Sequence, residues 1–270
     1  MKKLLPILFV LIITSCSPEP KEPEVPSIYL QERGGVYYEV NSTIPFSGKN
    51  RTKSEGYGIT LIYVDTYKEG LRDGLQTIFR DGKLIEKTLY KDGLKDGLNE
   101  EFEKNGQLKS IKNFKDGEQQ GIEEFNWENG QLNWRSNYKD GKKHGLYENY
   151  YRNGQLKSKV NYSDGNKDGL EETYHENGYL KSKVKFLEGK ENGFSEGYDK
   201  NGEFSSKTDY KDGRVHGLNR NYYRNGQLSI KSTYKNGKKD GLSESYSQNG
   251  ELEYSGCFKN GDSIDMSYCD

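Results

Sequence analysis

The chain has 270 residues, 31% hydrophobic and 31% charged, with 41 basic and 42 acidic side chains for a net charge of -1. So thin an apolar fraction argues against a thick globular core, and the balanced charge leaves no basic surplus to neutralise a phosphate backbone, so nucleic acid is not an expected partner. The 32 glycines and 22 tyrosines argue equally against disorder, because tight turns need the first and half-buried pleated sheets favour the second.

At the start, Lys2 and Lys3 precede an apolar run from Leu4 to Ile13 that is too short to span a bilayer. It ends at Ile13-Thr14-Ser15-Cys16, which resembles the bacterial lipobox. That resemblance implies that residues 1–16 are a lipoprotein signal peptide with the lipobox Cys16 the lipidated residue, placing the protein in the cell envelope with a lipid anchor as its membrane contact. Ser17, not Asp, follows the cysteine, and the sorting rule of enteric lipoproteins then implies the outer membrane. Residues 17–27 hold four of the six prolines and read as an extended tether. No proline follows Pro45, as continuous paired strands require.

Residues 28–50 read as an N-terminal cap with a strand over Val36 to Val40. From residue 51 to 255 the chain repeats. Gly74, Gly97, Gly121, Gly145, Gly169, Gly193, Gly217 and Gly241 recur at intervals of 24 residues, once 23, and a second series from Gly82 to Gly250 marks the middle of each unit. In the unit Gly145 to Asp168, two alternating runs flank Asn153-Gly154, a strong hairpin signal. For Leu146, Glu148 and Tyr150 to share a face with Leu156, Ser158, Val160 and Tyr162, Tyr150 must lie opposite Leu156. Arg152-Asn153-Gly154 is then a three-residue loop closed by a left-handed glycine. Asp164-Gly165 turns the chain into the next hairpin. The first unit is one residue short between Gly74 and Gly82, which predicts a bulge or weak pairing there. Residues 256–270 read as a C-terminal cap, with a disulfide between Cys257 and Cys269 expected in an oxidising compartment.

The fold class is therefore all-β: an elongated antiparallel β-hairpin array, a single-sheet meander or solenoid. Its eight hairpins, at about 4.8 Å per strand, extend on the order of 75 Å as a monomer. The recurring GL…Y.NGQL…Y.DG frame, over residues 46–261, resembles the MORN-repeat-variant family of bacterial hairpin-repeat proteins. The resemblance implies an elongated antiparallel sheet. Some members of that family carry antitoxin assignments, which gives the alternative reading of an antitoxin or immunity-type binder, and related arrays serve as scaffolds or membrane-associated modules.

Catalysis is not expected. Glu100, Glu124, Glu148, Glu172, Glu196 and Glu244 recur at one position, with Arg220 breaking the series. The assumed register sets Glu100, Glu148, Glu172 and Glu196 opposite Ser110, Ser158, Ser182 and Ser206, as hydrogen-bonded structural carboxylates on the inner face. Lys157, Lys159 and Glu171 are assigned to a solvated outer face. His144 and His216 occupy a turn slot held elsewhere by Asp96, Asp168 and Asp240, so no nucleophile and base come together. No metal site and no cofactor are expected. What remains is a non-enzymatic scaffold binding an unknown protein or surface polymer, with Phe125, Trp127, Tyr147 and Tyr151 as an outward aromatic patch.

Overall fold

A computed structural model describes residues 24–269. The signal peptide, Cys16 and the tether up to Pro23 lie outside the described residues.

From Gly48–Gly56 to Asp262–Ile264 the chain forms one long antiparallel sheet of hairpins, each strand paired with its neighbours in sequence. The sheet is open, since no ladder joins its first strand to its last among the described residues. Two turn types alternate along it. In the Asn-Gly turn, Tyr151 N–H donates to the Gln155 carbonyl at 2.8 Å and Gly154 N–H to the Tyr151 carbonyl at 2.9 Å, leaving the three-residue loop Arg152-Asn153-Gly154. Tyr150 lies opposite Leu156, as the apolar pattern requires. In the Asp-Gly turn, Ser163 pairs with Asn166 across Asp164 and Gly165, whose φ values of 48° and 89° are both left-handed. The short first unit uses this two-residue form, Arg80 pairing with Lys83 across Asp81-Gly82, and carries the expected bulge, a register shift between Ile78 and Phe79, with pairing continuing on both sides of it.

The register departs from expectation one step beyond the Asn-Gly turn. Asn149 pairs with Ser158, so Lys157 is an extra residue in the second strand. This bulge recurs in every hairpin from Gly74–Arg80 onward, though not between Gly48–Gly56 and Ile59–Lys68, and shifts each later residue to the opposite face. Glu148 therefore faces Lys159, not Ser158, and Glu100, Glu172 and Glu196 face Ile111, Lys183 and Lys207. The serine partnership is replaced by a row of alternating charge. Lys159 reaches Glu172 at 2.6 Å, Lys207 reaches Glu196 at 2.9 Å and Lys231 reaches Glu244 at 3.2 Å, while Arg135 bonds Glu148. The Lys159 and Lys207 bonds hold the Glu172 and Glu196 carboxyls below their ordinary range.

The inner and outer assignments of the first strand are exchanged as a result, whereas Ser158, Val160 and Tyr162 stay on the buried face and Lys159 on the other. The apolar residues beside the glutamates lie on the more exposed face, Leu98 and Ile122 about half exposed at 47% and 52% and Leu146, Leu218 and Leu242 half-buried. The deepest burial lies on the other face, along a row of cross-strand partners: Thr88 with Asn99, Ser136 with Tyr147, Tyr147 with Val160, Ser232 with Ser243. Thr88, Asn99, Ser136, Val160 and Ser232 are at most 2% exposed. This spine is mostly polar, and much of it satisfies itself. Asn99 Nδ2 donates to Thr88 Oγ1 at 2.7 Å, Asn219 Nδ2 to Thr208 Oγ1 at 2.7 Å, and the Ser232 and Ser243 hydroxyls share a 2.7 Å bond. Glu171 belongs to this spine face as well, opposite Val184 and bonded by Lys167 at 2.6 Å, and so is not on the outer face.

Along one side of the spine runs a ladder of aromatic rings interleaved with lysines. Lys95 lies 5.2 Å from the Phe114 centroid, Lys167 4.8 Å from Phe186 and Lys239 4.9 Å from Phe258. Each such contact contributes roughly 0.5–1 kcal/mol where solvent reaches it.

Both ends of the array are covered. At the N-terminal end the hairpin Leu30–Arg33 and Val36–Glu39 docks on Gly70, with Tyr37 N–H donating to the Gly70 carbonyl at 2.8 Å. Phe46 and Tyr67 are buried beneath it, and Asp65 accepts from Arg72 Nε at 2.8 Å and Gln76 Nε2 at 2.6 Å. Burial and the neighbouring Asp65 carboxylate push the Tyr67 hydroxyl up to about 12. At the C-terminal end Cys257 is buried and disulfide-bonded to Cys269 at a Cα separation of 5.8 Å, folding the turn Met266–Tyr268 back onto the last strands.

Candidate functional site

The spine face changes character in its middle. The position two residues after the repeat glycine holds Asn99, Ser195, Asn219 and Ser243 in four units, but Tyr147 in another. Four residues after the glycine, Asn149, Thr173 and Asn221 correspond to Phe125, and in the returning strand Ser110, Ser158, Ser182 and Ser206 correspond to Trp134. These three departures are cross-strand neighbours: Phe125 pairs with Trp134, and Trp134 pairs with Asn149, beside Tyr147. Phe125 and Trp134 stack at 6.0 Å and 7° between planes, Trp134 and Tyr147 at 6.3 Å and 27°, and Tyr147 meets Tyr162 edge-on at 6.0 Å. All four rings are half-buried.

One cation serves the line. Lys143 Nζ lies 4.6 Å from the Tyr147 centroid, 5.4 Å from Tyr162 and 5.8 Å from Trp134. Below the rings, Glu123 is buried and accepts from Gln119 Nε2 at 2.8 Å. Burial, first, and a hydrogen bond to Glu123 raise the Tyr138 hydroxyl far above its ordinary value. In the equivalent place Glu171 has a lysine, Lys167, where Glu123 has the neutral Gln119. The Ser110 and Ser136 hydroxyls and the Trp127 indole N–H are buried in the same stretch without a hydrogen-bond partner.

The four residues singled out from the sequence all lie on this one face, but they play two roles, and the face is the buried one rather than the solvated outer one. The reason is the bulge, which carries Val160 and Tyr162 onto the side of Tyr147. Phe125 and Tyr147 belong to the aromatic line. Tyr151 is a strut between hairpins, its hydroxyl donating to the Tyr174 carbonyl at 2.8 Å, a contact repeated by Tyr223 and the Tyr246 carbonyl at 2.9 Å. Trp127 sits at the matching turn position under the Arg152 guanidinium, 5.0 Å from the ring centroid. Trp134, Lys143 and Tyr162 complete the line and were not anticipated. Superposing the repeats in sequence flags Trp134, because serine holds its position in four other hairpins.

The histidine reading agrees with the geometry of the turns. Asp116 N–H donates to Asp96 Oδ2 at 3.3 Å, and Asn236 N–H to His216 Nδ1 at 3.4 Å, so His216 replaces an aspartate as a turn acceptor. Among the described residues no group of three or more His, Cys, Asp or Glu side chains is placed to hold a metal ion.

Five segments of the chain, residues 95–116, 143–164, 167–188, 215–236 and 239–260, match the family described as MORN repeat variant. These segments coincide with the repeating hairpins described above, and in them the chain is similar to that family. The matched segments pass over residues 119–140, the hairpin that carries Phe125, Trp127 and Trp134, and over residues 191–212. No curated protein matches the chain.

Proposed function

We propose that this protein is a non-enzymatic scaffold, lipid-anchored through Cys16 in the cell envelope, that binds another protein or a surface polymer on its spine face. The line Phe125, Trp134, Tyr147 and Tyr162 is the contact surface. The observation that carries this reading is local departure from the repeat: three neighbouring positions are aromatic together, where most other units fold with small or polar residues there and only Tyr254 repeats a ring at the Trp134 position. Rings in that place are not needed to build the sheet, and aromatic side chains bury large area with few rotors, which is what anchors at interfaces do. The scaffold works as a monomer and needs no cofactor. The lipid anchor and the outer-membrane address rest on the lipobox-like Ile13-Thr14-Ser15-Cys16 and on Ser17.

The test uses substitutions already present elsewhere in the array. Trp134→Ser and Phe125→Asn are introduced singly into the full-length lipoprotein, and partners are captured by crosslinking in the native cell. Capture falls by ~10-fold or more with each variant, equivalent to losing one interface anchor, while the melting temperature moves by only a few degrees. Undiminished capture with both variants refutes the surface. Fatty-acid labelling that is equal in wild type and Cys16→Ser refutes the anchor.

A further inference from the structure

The opposite face carries a second departure. Its central row alternates carboxylate and cation strand by strand, so each lysine has an acidic neighbour: Glu148 and Glu172 flank Lys159, and Glu172 and Glu196 flank Lys183. At Arg220 the alternation fails. Arg220 pairs with Lys207 on one side and Lys231 on the other, setting three cations directly opposite one another. Like charges in that arrangement repel and lower stability, and six of the seven corresponding positions in other units hold Glu100, Glu124, Glu148, Glu172, Glu196 and Glu244, the seventh being Thr77.

The partners of the three cations differ. Lys207 donates to Glu196 at 2.9 Å and Lys231 to Glu244 at 3.2 Å. Arg220 has an ion pair with Asp209 at 3.6 Å and no hydrogen bond from its guanidinium among the described residues. Asp209 is itself engaged, accepting from the Leu218 N–H at 3.1 Å. A half-buried guanidinium that makes one long ion pair but no hydrogen bond, between ammonium groups each held by a glutamate, keeps hydrogen-bond donors for a planar oxyanion.

An apolar platform adjoins it. Phe204 stands at the position held by Leu108, Leu156, Leu180 and Leu228 in other hairpins and is 37% exposed. Its ring meets Tyr198 at 5.6 Å and Tyr222 at 5.1 Å, and Tyr222 is two residues from Arg220 on the same strand face. Both departures fall together, in the hairpin from 191 to 212 that the family matches pass over and in the strand beside it.

We infer that Arg220, flanked by Lys207 and Lys231 and beside Phe204, forms a binding site for an oxyanion carried on a flat apolar face, of which the carboxylate of an acidic sugar is the fitting class. The site lies on the face opposite the aromatic line and does not depend on that reading. The guanidinium takes the carboxylate with the donors that its long contact to Asp209 leaves without a hydrogen bond, and the sugar ring's C–H face lies on Phe204. A single guanidinium is present, so the site takes one anionic group and does not track a polyanion along the array.

The experiment titrates D-glucuronate, inorganic phosphate and glucose separately into the unlipidated mature chain at low salt, where a surface charge site is least screened, following the Arg220 Nε–H signal by NMR. Glucuronate shifts the signal saturably and at lower concentration than phosphate; glucose does not shift it. Arg220→Glu, which restores the residue type of the other units, weakens glucuronate binding by ~10-fold or more, as loss of a charge-assisted pair predicts, with an unchanged or higher melting temperature. Phe204→Leu weakens glucuronate and leaves phosphate binding as it was. No saturable shift, or binding retained in Arg220→Glu, overturns the site. Phosphate binding as tight as glucuronate, with no effect of Phe204→Leu, overturns the acidic-sugar class.

Discussion

The two ends of the repeat array and its middle solve burial differently. Near the N-terminal end Ile62, Val64, Phe79 and Leu84 form an apolar cluster, each at most 8% exposed, with Val25 and Phe102 packed against it. On the opposite face the equally buried positions Thr88, Asn99, Ser136 and Ser232 run on from there through the middle of the array; Asn99 bonds Thr88 and Ser232 bonds Ser243, while the Ser136 hydroxyl has no partner among the described residues. A sheet one layer thick has no second layer to bury apolar side chains against. The array therefore concentrates conventional hydrophobic packing where a capping segment covers it, and elsewhere uses small polar groups beneath long aromatic and lysine side chains. The middle is consequently tolerant at single positions and the end is not.

The sharpest way to break that contrast is a pair of truncations. Phe79→Ala, in the apolar cluster, costs about 3–5 kcal/mol. Ser232→Ala, in the spine, costs about 1 kcal/mol because one Oγ–Oγ bond is lost. Chemical denaturation of both variants checks the ordering; equal losses would mean that the spine carries as much stability as the cluster.

Removing the C-terminal disulfide with Cys257→Ser costs roughly 2–3 kcal/mol, the effect of a loop this short. Hydrogen exchange then rises in the final hairpin and stays unchanged near Phe79, because repeats communicate only through neighbours.

At the other end, Gly70→Ala tests the cap. A Cβ there would lie 2.3 Å from Val36 Cγ1 and 2.8 Å from the Tyr37 carbonyl oxygen, and the residue has φ of +76°. The cap hairpin is expected to undock at a cost of about 1–3 kcal/mol, seen as lost amide protection at Tyr37 while the repeats beyond Gly97 keep theirs.

The smallest effects are in pH. The Tyr67 hydroxyl is raised in the folded state, so its contribution is full below the ordinary tyrosine value near 10 and is lost as pH rises toward about 12. The Glu172 and Glu196 carboxyls are lowered, so theirs is full above the ordinary glutamate value of about 4.3 and is lost as pH falls below it. Melting followed by a cap probe should decline at the alkaline end, and melting followed in the middle repeats at the acid end. The acid effect is modest because solvent reaches these pairs.

What the sequence determined by itself was everything set by local chemistry. Glycine spacing, Asn-Gly and Asp-Gly turns and the pairing of Tyr150 with Leu156 follow from left-handed backbone requirements and from alternation within one strand, and all appear in the structure. The equivalence of His216 with the turn aspartates was legible for the same reason. Which face is buried was decided only by the tertiary structure. One extra residue, Lys157 and its counterparts, inverts the side of every residue that follows, and its effect is visible only when the strand is laid against its partner. With that inversion the glutamates met lysines instead of serines, and Tyr147 joined Val160 on the spine face. Trp134 likewise became part of an aromatic line through cross-strand pairing with Phe125 and Asn149, residues nine and fifteen positions away in the chain.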